Sequence, residues 1–218
     1  MFKLGKNGQE LATAKAHEID GPLFADPGDH FAKAKPIESD LEFIRKTGVS
    51  PKKEVAKGTA SGGSSLSDHQ DRRLNPSVTV ELSDDGMKRI TQYLYSPHGS
   101  VFEFLSSEDG CAPDATTYMS AGIGFCFMTQ FGRFVSMLKL DLPSYRIVQD
   151  THFTLGGASG RTGKAGAADP IETHVCLETT ESDETAQEML DISEQTCFLH
   201  AFCRTDLKTK LRVNSIGQ

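Results

Sequence analysis

At 218 residues and 37% hydrophobic content, the chain is long enough to bury a sizeable core, which argues against a disordered protein. A formal charge of −7 argues against nucleic acid as a ligand. No apolar run approaches the roughly 20 residues that span a bilayer, and Met1 to Ala16 lacks the continuous apolar core of a signal peptide. The expectation is a cytoplasmic protein with no membrane partner, whose five cysteines stay reduced unless chemistry oxidises them.

Residues 1–75 read as an N-terminal extension or arm, punctuated by Gly21-Pro22, Asp26-Pro27-Gly28 and Lys35-Pro36. One short helix is expected over 40–47, with Ser39 as cap, Leu41, Phe43 and Ile44 as apolar anchors and Gly48 as its stop. KGTASGGSSLSDHQDRR then reads as a flexible Gly/Ser segment. From Ser77 the texture changes. SVTVELS sets Val78, Val80 and Leu82 against Thr79, Glu81 and Ser83, a half-buried strand by its period of two. Asp84-Asp85-Gly86 signals a hairpin turn, and MKRITQYLY and SVFEFLS supply two further strands of an antiparallel meander.

PDATTYMSAGIGFCFMTQFGRFVSMLKL follows, the longest stretch of low charge, opened by a proline suited to a first helical turn. At helical spacing Met119, Ile123, Cys126, Phe127, Phe134 and Leu138 form one stripe. Gly122 and Gly124 each weaken a helix by about 1 kcal/mol, so they predict a close approach beside Cys126. Taken alone, Cys126 reads first as a small core residue.

SYRIVQDTHFTL and IETHVCLETT read as strands, the second with His174 and Cys176 on one side. Between them, GGASGRTGKAGAADP fails as a phosphate loop. Ala158 stands where the first glycine belongs, and Ala165 replaces the Ser or Thr that would hold magnesium. A second helix is expected over 183–201, capped by Ser182, with Ala186, Met189, Leu190, Ser193 and Cys197 on its apolar stripe. LKTKLRV reads as a closing strand. Three strands, a helix, two strands, a helix and a strand make an α+β class. Cys197-x-x-His200-x-x-Cys203 aligns ligand types along one helical side, but a closed zinc site takes four ligands, and the expectation is no metal.

A mid-helix cysteine in PDATTYMSAGIGFCFMT, followed about seventy residues later by EMLDISEQTCFLH, resembles the OsmC/Ohr family of thiol-dependent hydroperoxide reductases. The resemblance runs from Ser77 to Val213 and implies an OsmC-like domain over 76–218. It implies an antiparallel sheet wrapped around two central helices and an intertwined homodimer. It further implies that Cys126 attacks a hydroperoxide and Cys197 then pairs with it in a disulfide, with no cofactor and an external dithiol reductant. The family's supporting glutamate is matched only by Asp114, twelve residues before Cys126, and its arginine only by Arg72, Arg73 or Arg89. His200 fills a small polar position after the second cysteine. Two rivals stand beside this reading. Cys126 is a covalent nucleophile towards a non-peroxide electrophile, or the chain is a non-catalytic subunit or binding protein.

Overall fold

The computed structural model describes residues 2–7, 9–12, 41–52, 74–95, 99–154, 163, 165–208, 210 and 212. The chain divides into two compact units, one of Met1–Pro27 with Ser120–Gln218 and one of Gly28–Met119. Among the described residues the class is α+β, with three helices and mainly antiparallel sheets.

The Gly28–Met119 unit holds β3 (Ile44–Val49), β4 (Pro76–Leu82), β5 (Lys88–Leu94) and β6 (Ser100–Ser106), in the order β3-β6-β5-β4, all antiparallel. The β4–β5 hairpin turns at Gly86, whose φ of 81° lies where glycine meets no steric penalty. The short helix expected over 40–47 is not formed. Ile44, Thr47 and Val49 are β-branched and favour a strand beside β6, while Gly48, expected as a helix stop, sits at the register shift between Lys46 and Gly48. Among the described strands β4 ends the sheet, beside β5, and Val78, Val80 and Leu82 are 56, 59 and 74% exposed instead of half-buried.

The other unit is built on β1 (Phe2–Lys6), β2 (Gln9–Ala12), β7 (Ser144–Asp150) and β10 (Glu172–Glu178), in the order β2-β1-β10-β7. β1 runs parallel to β10, the one departure from the expected antiparallel pattern among the described strands. Asn7 fastens the pair by donating through Nδ2 to the Thr179 carbonyl and accepting from the Thr179 amide. A two-stranded ladder joins β8 (Phe153–Thr154), at the end of the expected strand SYRIVQDTHFTL, to β9 (Ala167–Ala168) in GGASGRTGKAGAADP.

Helix α1 (Ala115–Leu138) begins in the Gly28–Met119 unit and continues in the other. Its buried stripe is Ile123, Phe127, Gln130, Phe131 and Phe134, whereas Met119 and Leu138, expected inward, are 37 and 49% exposed. It closes in a Schellman turn, with Lys139 at φ 55° and the Leu140 amide donating to the Val135 carbonyl. Helix α2 (Asp183–Thr196) is capped by Ser182, whose Oγ accepts from the Thr185 amide, and buries Ala186, Met189, Leu190 and Ser193 as its spacing predicts.

Phe127, Phe131, Val175, Leu177, Ala186, Met189, Leu190 and Cys197 form one core between α1, β10 and α2. At about 1.5–3 kcal/mol for each large apolar side chain buried, this cluster is the main source of cohesion in its unit. The expected helix over 183–201 is broken in two. Cys197 has extended angles (φ −77°, ψ 118°), and α3 (Phe198–Arg204) starts after it. The closing strand expected over 207–213 is absent at 207 and 208, and Thr209, Leu211 and Val213 lie outside the described residues.

Candidate functional site

The break at Cys197 has a local cause. Ser193 Oγ donates to the Met189 carbonyl and Thr196 Oγ1 to the Ile192 carbonyl at 2.8 Å, back-bonding that loosens a last helical turn. Restarting at Phe198 leaves the first amides of α3 without intrahelical acceptors. Those of Phe198 and Leu199 turn to Cys126, half-buried on α1.

The thiols of Cys126 and Cys197 share a hydrogen bond. That bond, then the Leu199 and Phe198 amides, lower the Cys126 pKa to about 6, against the opposing effect of burial. Cys197 is completely buried and its pKa is pushed up, first by donating to Cys126 and then by burial. The pair is therefore asymmetric: a half-buried thiol whose ionisation is favoured, and a fully buried thiol behind it whose ionisation is disfavoured.

Three side chains hold the α3 start in place. Gln149 Nε2 donates to the Glu172 carbonyl at 2.9 Å, so its Oε1 accepts from Thr173 Oγ1 at 2.6 Å. With its single proton given to Gln149, the Thr173 hydroxyl accepts from His200 Nε2 at 3.1 Å, which places the imidazole proton on Nε2. His200 also stands edge-on to Phe127, centroids 5.3 Å apart, and burial lowers its pKa to about 4. It is neutral at pH 7. Gly122 and Gly124 do meet neighbours, Leu199 Cδ1 and Gln149 Cβ, but at 3.5 and 3.7 Å from where a Cβ would stand. Those are ordinary contacts, so the approach does not demand glycine.

The remaining sequence candidates are elsewhere engaged. Asp114 caps α1, accepting from the Thr117 amide and Thr116 Oγ1, both at 2.7 Å, and these bonds lower its pKa. Arg89 gives Nε to Ser83 Oγ at 2.8 Å and pairs with Asp85 at the hairpin turn. Arg72 and Arg73 lie outside the described residues. Cys197, His200 and Cys203 do not converge as ligands: the first faces Cys126, the second Thr173, and Cys203 is exposed. Among the described residues, hydrogen bonds lower the Cys126 pKa, in place of the arginine expected there. Sequence reasoning missed Thr173, Gln149 and the two amides. The Ser193, Thr196 and Cys197 sequence, poor in strong helix formers, was the available signal of a break.

A groove of about 740 Å³ runs along α1 between Phe125, Met128, Gly132, Arg133 and Tyr145. Cys126 does not line it, so the groove is an apolar surface of α1 and not the pocket of the thiol. No described helix is long and apolar enough to cross a membrane.

An α+β unit with a thiol pair, one half-buried on a helix and one buried behind it, is thus the class the site defines. Residues 107–212 match the family described as OsmC-like protein, and the chain carries an OsmC-like domain there. Among solved structures it is similar to an OsmC-like hydroperoxide resistance protein from Jannaschia sp. ccs1, with 16% identity, TM-score 0.45, and coverage of 66% of this chain and 93% of that one. It is similar also to an OsmC like protein from Mycoplasma pneumoniae, with 11% identity, TM-score 0.48 and coverage of 63 and 91%. A third is an organic hydroperoxide resistance protein from Elizabethkingia anophelis, with 15% identity, TM-score 0.42 and coverage of 62 and 89%. No curated protein matches. At these identities the chemistry rests on the chain's own residues.

Proposed function

We propose that this protein reduces organic hydroperoxides through Cys126 and Cys197. The observation that carries the reading is the asymmetric thiol pair, with Cys126 lowered to about 6 by hydrogen bonds from Cys197 and two backbone amides. At neutral pH Cys126 is then thiolate, the nucleophilic form. It attacks the outer oxygen of R–O–O–H. The O–O bond breaks, the alkoxide takes a proton from solvent and leaves as alcohol, and Cys126 becomes a sulfenic acid. The Cys197 thiol then attacks that sulfur, expelling the hydroxyl as water and forming a disulfide. Two electrons leave the two thiols, and an external dithiol returns them. The match to the OsmC-like family supports a peroxide substrate, and two of the similar structures are named as hydroperoxide resistance proteins.

The reading includes a homodimer. Val78, Val80 and Leu82 on one face of β4 expose apolar surface that a second copy would cover. Asp114 keeps a supporting role through the cap of α1, and His200 through the α3 start. Arg72, Arg73 and Arg89 remain candidates for polarising the peroxide.

The test is rapid mixing of the reduced protein with an alkyl hydroperoxide, counting thiols before and after and mapping cross-links. Loss of two thiols with a Cys126–Cys197 disulfide supports the reading. Unchanged thiols sink it. Cys197→Ser separates it from acyl-type chemistry at Cys126, which would survive the substitution while peroxide turnover would stop.

A further inference from the structure

We propose that Asp150, Glu172 and His174 bind a first-row transition-metal dication, with zinc the best fit. The β7–β10 register sets Asp150 directly opposite Glu172, and His174, two residues along β10, projects on the same face as Glu172. Two carboxylates facing each other across a ladder repel, so the pair calls for a cation between them.

His174 Nε2 lies 3.3 Å from Asp150 Oδ2 and 3.4 Å from Glu172 Oε2. A charge-assisted hydrogen bond draws its atoms to about 2.7–2.9 Å, so both separations, though within ion-pair range, are long for direct hydrogen bonds. They are the right length for something else. Nitrogen and oxygen ligands about 2.0–2.1 Å from a tetrahedral zinc stand about 3.3–3.4 Å apart along the tetrahedron's edges. The ligating atoms of all three residues lie within 4.8 Å of one another.

Burial is graded across the site. The side chain of His174 is 4% exposed, that of Glu172 14% and that of Asp150 31%. Imidazole and one carboxylate are thus held in place, while the cation and a fourth ligand, water, reach the site from the Asp150 side. The Glu172 strand position is itself pinned by Gln149 Nε2 donating to its carbonyl. Two carboxylates offset the charge of a dication, and the imidazole selects zinc and its neighbours over magnesium and calcium. No thiol takes part, so the site is independent of the Cys126–Cys197 chemistry.

The experiment titrates the full-length reduced protein with cobalt(II), then displaces it with zinc. Expected is one cobalt per chain with visible d–d bands and no near-ultraviolet thiolate charge transfer, displaced by zinc and untouched by excess magnesium. Loss of an outer-shell partner costs a metal site about 10–100-fold in affinity, so Asp150→Asn and Glu172→Gln, the more exposed ligands, should each weaken binding at least tenfold with an unchanged circular dichroism spectrum. His174→Asn should do the same. Absence of cobalt and zinc binding at micromolar concentration overturns the proposal. So does binding that carries the thiolate band and is indifferent to Asp150→Asn and Glu172→Gln.

Discussion

Thr173 Oγ1 stands 3.1 Å from His200 Nε2, and both side chains are buried. The contact joins the start of β10 to the first turn of α3, the turn whose amides face Cys126. Thr173→Val keeps the shape and removes the hydroxyl, leaving His200 Nε2 and Gln149 Oε1 without that partner. The expected loss is about 2 kcal/mol of stability by urea unfolding, the penalty for stranding buried polar atoms. The Cys126 alkylation midpoint should also move to higher pH as α3 relaxes, and Thr173→Ser should restore both. If Thr173 only fills space, the valine variant will match the parent in both measurements.

Cys197 has two separable tasks, donating a hydrogen bond and supplying a second sulfur. Alkylation of Cys126 against pH should have its midpoint near 6 in the parent protein. A hydrogen bond to a charged group is worth about 1.5–3 kcal/mol, so Cys197→Ala should raise the midpoint by about 1–2 pH units. Cys197→Ser keeps a donor and should hold the midpoint near the parent value while abolishing disulfide formation. Equal midpoints in the alanine and parent proteins would remove Cys197 from the control of Cys126.

Acid should loosen the fold in two successive windows. The folded pKa of Cys126 is about 6, against roughly 8.5 unfolded. Its thiolate therefore contributes stability above about 8.5 that is lost as pH falls through 6. Buried His200 titrates at about 4, below its unfolded value near 6.5. The unfolded chain takes up that proton first, so stability falls again from about 6.5 towards 4. Urea midpoints across pH in the parent and Cys126→Ser should differ by a flattened upper window, with the lower one retained. A parent curve that is flat from 8.5 to 6 would contradict the thiolate assignment.

Lys139 closes α1 in a left-handed conformation at φ 55°. A side chain there costs about 1–2 kcal/mol relative to glycine, and Lys139 is exposed. Lys139→Gly should raise the melting temperature by about 2–4 °C, the shift expected of about 1 kcal/mol in a chain of this size. A lowered value would mean that the lysine makes a compensating contact.

Much of this architecture was open to pattern reading, because its signals are local. The SVFEFLS strand, the Asp-Asp-Gly turn, the Ser182 cap and the Ala186–Met189–Leu190–Ser193 stripe all act over a few residues and fall where expected. The failures are non-local. Ile44–Val49 became a strand because β6 offered it an edge, which no window around Ser39 contains. Val78 and Leu82 alternate correctly, but alternation cannot say that β4 would stand last in its sheet. At the site, the resemblance to the OsmC/Ohr family pointed to Cys126 and Cys197, while the amides of Phe198 and Leu199 depend on a break that the apolar stripe concealed. Asp150 and His174 lie on separate strands, and only register joins them.

The parallel pairing of β1 with β10 governs how the molecule is born. Phe2 is partnered with Thr173, so β1 finds its template only after the intervening chain has been made. At about 5–20 residues per second that delay is about 10–30 s. Throughout it, the backbone amides and carbonyls of β1 that belong to β10 remain unmatched, a window in which holdase chaperones protect such edges and in which a bulky amino-terminal fusion would do most harm to yield.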